Sequence, residues 1–127
     1  MAAAGACGTV LVVDDEPAIR YLCRVNLELD GHRVLEAGGR EEALELLAAE
    51  PVDVVLLDLH LCGERADGLL AELRGRTPPV PVALVSGSPD VNDAAQPNAD
   101  AVIAKPFAPD ELCDTVRRLI VPTTAER

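Results

Sequence analysis

The feature that most constrains this chain is an alternation, repeated five times, between short β-branched apolar runs and longer stretches with helical spacing. The runs fall at 9–13, 33–36, 53–57, 80–85 and 101–104. Most are apolar on consecutive residues rather than on alternate ones, the pattern of parallel strands covered on both faces. Between them, Ile19, Leu22, Val25 and Leu29 share one helical face, Ala43, Leu44 and Leu47 a second, and Leu69, Leu70 and Leu73 a third. Leu112, Val116, Leu119 and Ile120 mark a last helix, and Gly31, Gly75 and Pro78-Pro79 supply stop signals. The expected fold is α/β, a (βα)5 doubly wound parallel sheet in one domain. The boundaries read as an extension over 1–8, the domain over 9–121 and a tail over 122–127. The segment 89–98, with two prolines and almost no apolar stripe, predicts a short or frayed helix.

Composition narrows the function. At 127 residues, 49% hydrophobic and 26% charged, the chain has the size and balance of one folded domain. Its apolar runs are far shorter than the ~20 residues that span a bilayer. The start of the chain has no basic residue and no apolar segment of a signal peptide, so a cytoplasmic location is expected. A net charge of −11 repels a polyphosphate backbone, which argues against direct nucleic-acid binding. Cys7, Cys23, Cys62 and Cys113 form no C-x-x-C pair, and His32 and His60 complete no ligand set with them. The cysteines read as reduced thiols.

Parallel sheets of this kind bind ligands outside the carboxyl ends of their strands. Strand one ends in Asp14-Asp15-Glu16, strand three in Asp58, strand four in Ser86 and strand five in Lys105-Pro106. A single acidic residue in such a place is commonly a helix cap, and Glu16 is open to that reading. Asp14, Asp15 and Asp58, however, must crowd one pocket if strands one and three are neighbours, and like charges so placed need a cation or a raised pKa. Mg2+ is the expected metal, because it takes oxygen ligands from one or two carboxylates together with a phosphate oxygen. Lys105 adds an ammonium and Ser86 a hydroxyl, both suited to phosphoryl oxygens. A carboxylate nucleophile in such surroundings suits in-line phosphoryl transfer to aspartate.

The pieces Val-Leu-Val-Val-Asp14-Asp15-Glu16-Pro, Val-Val-Leu-Leu-Asp58-Leu, Val-Ser86-Gly and Ala-Asp-Ala-Val-Ile-Ala-Lys105-Pro106-Phe107 resemble a response-regulator receiver domain of two-component signalling over residues 9–120. The resemblance implies the flavodoxin-like strand order 2-1-3-4-5, Asp58 as phosphoacceptor, Asp15 as a direct Mg2+ ligand and Asp14 as a ligand through water. It also implies the His60 carbonyl as a further ligand, Ser86 and Lys105 as the groups that grip the phosphoryl, and a cis Lys105-Pro106 bond. The implied partners are a sensor histidine kinase or histidine phosphotransfer protein as donor and a downstream protein of unknown identity. Such a domain is not an enzyme acting on a separate substrate, although it promotes its own phosphorylation and dephosphorylation.

Departures from the family pattern bear on output. Receivers commonly carry Met-Pro after the phosphoacceptor and an Asp-Gly pair nearer to it; here Leu61-Cys62 stand there, Asp67-Gly68 follow, and the loop is longer by two residues. This brings His60, Glu64 and Arg65 toward the rim of the pocket. Val102, three residues before Lys105, replaces the usual aromatic, and the stretch from Ser86 to Lys105 is short. The usual switch surface is therefore in doubt, and a monomer is the expectation. The short tail and Met1 point to a stand-alone receiver. The competing readings are a pseudo-receiver adaptor that works without phosphorylation, and a Mg2+-dependent aspartyl-phosphate phosphohydrolase. The second is disfavoured by His60 in the place of an acid two residues after the nucleophile. Flavodoxin-like phosphate binding is disfavoured by the acidic first loop.

Overall fold

In the computed structural model, which describes residues 8–76, 79–87 and 99–125, strand β1 (Thr9–Val13) lies between β2 (Arg33–Ala37) and β3 (Val54–Asp58). Two further strands, β6 (Val82–Ser86) and β7 (Ala101–Ala104), extend the sheet beyond β3, so its order is β2-β1-β3-β6-β7 with every pairing parallel. The five expected strands are present in the expected order. Helices α1 (Pro17–Leu29), α2 (Arg40–Ala49), α3 (Asp67–Arg74) and α4 (Pro109–Ala125) cover the two faces. The stretch 89–98, expected to hold a short or frayed helix, lies outside the described residues.

Side chains alternate across the sheet, and each face takes its own helices. Leu11, Val13, Val55, Leu57, Val82 and Leu84 pack against Ala43 and Leu47 of α2 and Leu69, Leu70 and Leu73 of α3. Val10, Val12, Val54, Leu56, Ala83, Val85 and Ile103 pack against Cys23 and Leu27 of α1 and Leu112, Val116 and Ile120 of α4. The consecutive apolar residues of β1, β3 and β6 thus serve two cores at once. Edge strand β2 is only partly covered, which is why it tolerates Arg33 and Glu36.

Several boundaries differ from the sequence expectation for local reasons. Asp53 sits before β3 and accepts the Thr9 N–H at 2.8 Å instead of joining the strand. Strand β6 starts at Val82, not at residue 80, because Pro81 accepts from the Val55 N–H but has no N–H to donate. Strand β2 gains Ala37, whose carbonyl takes the Asp14 N–H at 3.0 Å. Helix α1 stops where Gly31 adopts a φ of 95°, with the His32 N–H on the Leu27 carbonyl and the Gly31 N–H on that of Glu28, the paired bonds of a Schellman motif. His32 simply follows this turn, buried, with Nδ1 accepting the Gly8 N–H at 3.2 Å. The backbone of α4 continues past Ile120 to Ala125, through part of the expected tail; proline's fixed φ fits a helix, and Pro122 forfeits one hydrogen bond.

The longer loop after Asp58 is built, which the sequence did not suggest. His60–Leu61 (β4) pairs antiparallel with Glu64–Arg65 (β5), with Cys62-Gly63 as a two-residue turn. Both turn residues have positive φ, 54° at Cys62 and 83° at Gly63, as a type I′ turn requires. Leu59 and Leu61 are buried beneath the hairpin, and the Cys62 thiol reaches the Gly38 carbonyl at 3.5 Å. A side chain at Cys62 works against this turn, whereas asparagine tolerates the left-handed region. Cys62→Asn is therefore expected to raise the urea midpoint, by about 0.5–1 kcal/mol of stability, and Gly63→Ala to lower it by about 1 kcal/mol. Midpoints unmoved by both changes would show that the hairpin contributes nothing to stability in solution.

Candidate functional site

Strand register sets the site. Val13 pairs with Leu57, so the next residues, Asp14 and Asp58, lie side by side at the carboxyl edge. Asp58 pairs with Val85, and Ser86 pairs with Ala104, the residue before Lys105. Residues far apart in the chain, Asp14, Asp15, Asp58, Ser86 and Lys105, are thereby delivered to one edge of the sheet. The carboxylates of Asp14, Asp15 and Asp58 each place an oxygen within 4.8 Å of the others.

Asp14 and Asp58 are buried and Asp15 is exposed. Asp14 Oδ1 accepts the Glu16 N–H at 2.9 Å, and its Oδ2 lies 3.2 Å from Lys105 Nζ. The same ammonium stands 3.8 Å from Asp58 Oδ2 and 3.8 Å from Glu16 Oε1. Asp58 Oδ1 accepts the His60 N–H at 3.2 Å, so the backbone that leads into the hairpin also orients this carboxylate. The His60 side chain is exposed; the side chains of Glu64 and Arg65, expected at the rim, lie outside the described residues. Ser86 is buried at the end of β6, and its carbonyl accepts the Lys105 N–H at 2.8 Å. The Lys105-Pro106 peptide is cis.

One contact had no counterpart in the sequence reading. Arg20 Nη1 donates to the Asp14 carbonyl at 2.6 Å, and Arg20 Nε pairs with Glu36 of β2 at 3.1 Å. The signal was an arginine on the second turn of the helix that follows the acidic loop, which by spacing alone reads as a solvated charge.

Three carboxylates against one ammonium leave the site with excess negative charge. Two unit charges 4.8 Å apart repel by roughly 3 kcal/mol at an effective dielectric constant of about 20. The Asp58 carboxyl is pushed up to about 6 by burial and by the charge of Asp14, with a smaller push from Asp15, while Lys105 and the His60 N–H oppose the rise. For Lys105, burial works against the charged form, but Asp14, Asp58 and Glu16 outweigh it and the pKa is raised. Hard oxygen donors, close spacing and uncompensated charge suit a hard divalent cation. The nearby Cys23 thiol is inert, since burial and the charge of Asp14 push it up to about 12.

The raised Asp58 pKa carries a sign for stability. A carboxyl that titrates near 6 in the fold and near its ordinary value of 3.8 when unfolded binds the proton more tightly in the folded state. Its ionisation therefore costs stability as pH rises between those values, and the full cost is present above them. Without divalent cations, Asp58→Asn is expected to melt at a higher temperature than the wild type at pH 7.5. The advantage should shrink below pH ~6 and vanish near pH ~4. A pH-independent difference would show that ionisation of Asp58 is not the source.

Comparison with known proteins places this geometry. Residues 10–117 match the model of the family described as "Response regulator receiver domain". The transcriptional regulatory protein KdpE of Mycobacterium tuberculosis is 38% identical over 119 residues, 91% of this chain and 52% of that protein. An NtrX-like response regulator of Rickettsia felis is 36% identical over 123 residues, 93% of this chain and 26% of its own length. This chain thus spans about half, or about a quarter, of these curated relatives. Among solved structures, the response regulator TrrA of Thermotoga maritima, in complex with Mg2+-BeF, superposes with a TM-score of 0.81 at 31% identity. That match covers 88% of this chain and 98% of the other. On fold, sequence and the five strand-end residues together, the chain belongs to the response regulator receiver domain family of two-component signalling.

Proposed function

We propose that the domain accepts a phosphoryl group on Asp58 from the phosphohistidine of a sensor kinase or phosphotransfer protein, and signals the change by contact with another protein. The observation that carries this is a buried carboxylate at the end of a central strand, with Lys105 Nζ 3.8 Å away and two further carboxylates beside it. An Asp58 oxygen attacks phosphorus, and the phosphorus–nitrogen bond breaks with its electrons going to the departing imidazole. Asp15 and Asp58 would hold Mg2+ directly, Asp14 through water, and the His60 carbonyl would complete the protein ligands. The cation supplies neutralisation of the phosphoryl oxygens and of the crowded carboxylates. Lys105, already drawn to Asp14 and Asp58, offers its remaining N–H bonds to the phosphoryl group, and Ser86 offers a hydroxyl from the neighbouring strand.

Catalysis on a separate substrate is not part of the proposal, since the site serves the domain's own carboxylate. Direct nucleic-acid contact is not either, given the net charge of −11. The curated relatives named as transcriptional regulators extend well beyond the length matched here. Output in monomeric form belongs to the same proposal. Val102, paired with Leu84 and half-buried against the core on the α2–α3 face, is a stiff branched side chain without the lever of an aromatic. No helix among the described residues is long and apolar enough to cross a membrane.

With Mg2+ and acetyl phosphate, intact-mass measurement is expected to show one added phosphoryl group, absent from Asp58→Asn. Equal labelling of both, or none in a wild type that binds Mg2+, overturns the assignment. Sedimentation with Mg2+ and beryllofluoride is expected to give the same monomer mass as without it. A doubled mass at micromolar concentration would show that Val102 does not prevent the dimer-forming switch.

A further inference from the structure

We propose that Arg20 is a positioning residue for the cation site, holding the acidic loop in the geometry that Mg2+ requires; the inference rests on the reading of Asp14, Asp15 and Asp58 as that site. Every polar group of Asp14 is engaged. Its N–H goes to Ala37, Oδ1 takes the Glu16 N–H, and Oδ2 takes Lys105. Its carbonyl, the last atom before Asp15, is held at 2.6 Å by Arg20 Nη1. That guanidinium is itself fixed. Nε bonds Glu36 Oε1 at 3.1 Å, the other Glu36 oxygen takes Arg24 at 3.1 Å, and a Cβ on Gly38 would come within 3.3 Å of Nη1. A forked cation thus ties the β1–α1 loop to the neighbouring edge strand, and the fixed peptide between Asp14 and Asp15 sets where the Asp15 carboxylate starts. Among the described residues the exposed Asp15 has no such brace of its own, so its direction depends on this peptide.

Charge and geometry predict opposite results, which makes the proposal testable. A guanidinium beside a cation site repels the cation, so its removal should tighten Mg2+ binding if charge is all that matters. If Arg20 positions the loop, its removal should weaken binding by roughly tenfold, the scale on which supporting hydrogen bonds affect metal sites. The measurement is the apparent Mg2+ dissociation constant from the rise of melting temperature with MgCl2. It is made for the wild type, Arg20→Met, Arg20→Lys, Glu36→Ala and the Arg20→Met/Glu36→Ala double variant. We expect Arg20→Met to weaken binding about tenfold and Arg20→Lys, which keeps the charge but not the fork, to weaken it severalfold. The double variant should bind no more weakly than Arg20→Met alone. In acetyl phosphate labelling, the Mg2+ concentration for half-maximal rate should rise while the rate at saturating Mg2+ stays near that of the wild type.

Tighter or unchanged binding in Arg20→Met, or unchanged binding in Arg20→Lys, overturns the proposal. Should Arg20→Met fail to fold, the Arg20→Lys result decides. A wild type whose melting temperature responds to Mg2+ no more than that of Asp15→Ala would instead overturn the cation site itself.

Discussion

The repulsion among Asp14, Asp15 and Asp58, carried at the ends of buried strands and countered by a single lysine, is the interaction around which this domain is organised. Carboxylates within 4.8 Å of one another would move apart if their backbones were free. They are not free. Asp14 and Asp58 follow Val13 and Leu57, which are buried and paired in parallel register, and the side chains of these strands are locked between helices on both faces. The hydrophobic effect, acting on consecutive valines and leucines, holds charges where electrostatics alone would not leave them. Burial first, and the charge of Asp14 second, push the Asp58 carboxyl above its ordinary range.

The elements around the cluster share the task of containing it. Lys105 comes from the opposite end of the chain and reaches Asp14, Asp58 and Glu16 from the end of β7. The His60 N–H steadies Asp58 from the hairpin side, and Arg20 steadies the Asp14 peptide from α1. Each of these donors is set by an element that also closes part of the core. Stability of the fold and readiness of the site are therefore coupled, and a cation that relieves the repulsion would also stabilise the folded state.

The hairpin of β4 and β5 occupies the loop after Asp58. Two additional residues in a loop would ordinarily add only mobile chain. Here they form a type I′ turn with Leu61 buried beneath it, and the thiol of Cys62 rests on the carbonyl of Gly38, after the far edge strand β2. The extra length thus forms a paired element beside the carboxylate cluster, from the strand that carries Asp58 to the loop after β2.

Consecutive apolar runs such as Val10–Val13 and Val54–Leu57 determined the parallel sheet from sequence alone, because only strands covered on both faces need apolar residues on both. The strand-end residues Asp14, Asp58, Ser86 and Lys105 were legible for the same reason: in such a sheet, the residue after the apolar run emerges at the carboxyl edge. Boundaries were less legible, since they turned on single hydrogen bonds, such as that of Asp53 to the Thr9 N–H. What only the tertiary structure decided was how groups remote in sequence meet. The contact of the Cys62 thiol with the Gly38 carbonyl, the pairing of Arg20 with Glu36 and the choice of Asp14 as the nearest carboxylate to Lys105 depend on distances set by packed helices. Residue spacing along a chain records which side of an element a group occupies, but not how closely two elements are pressed together once their cores have formed.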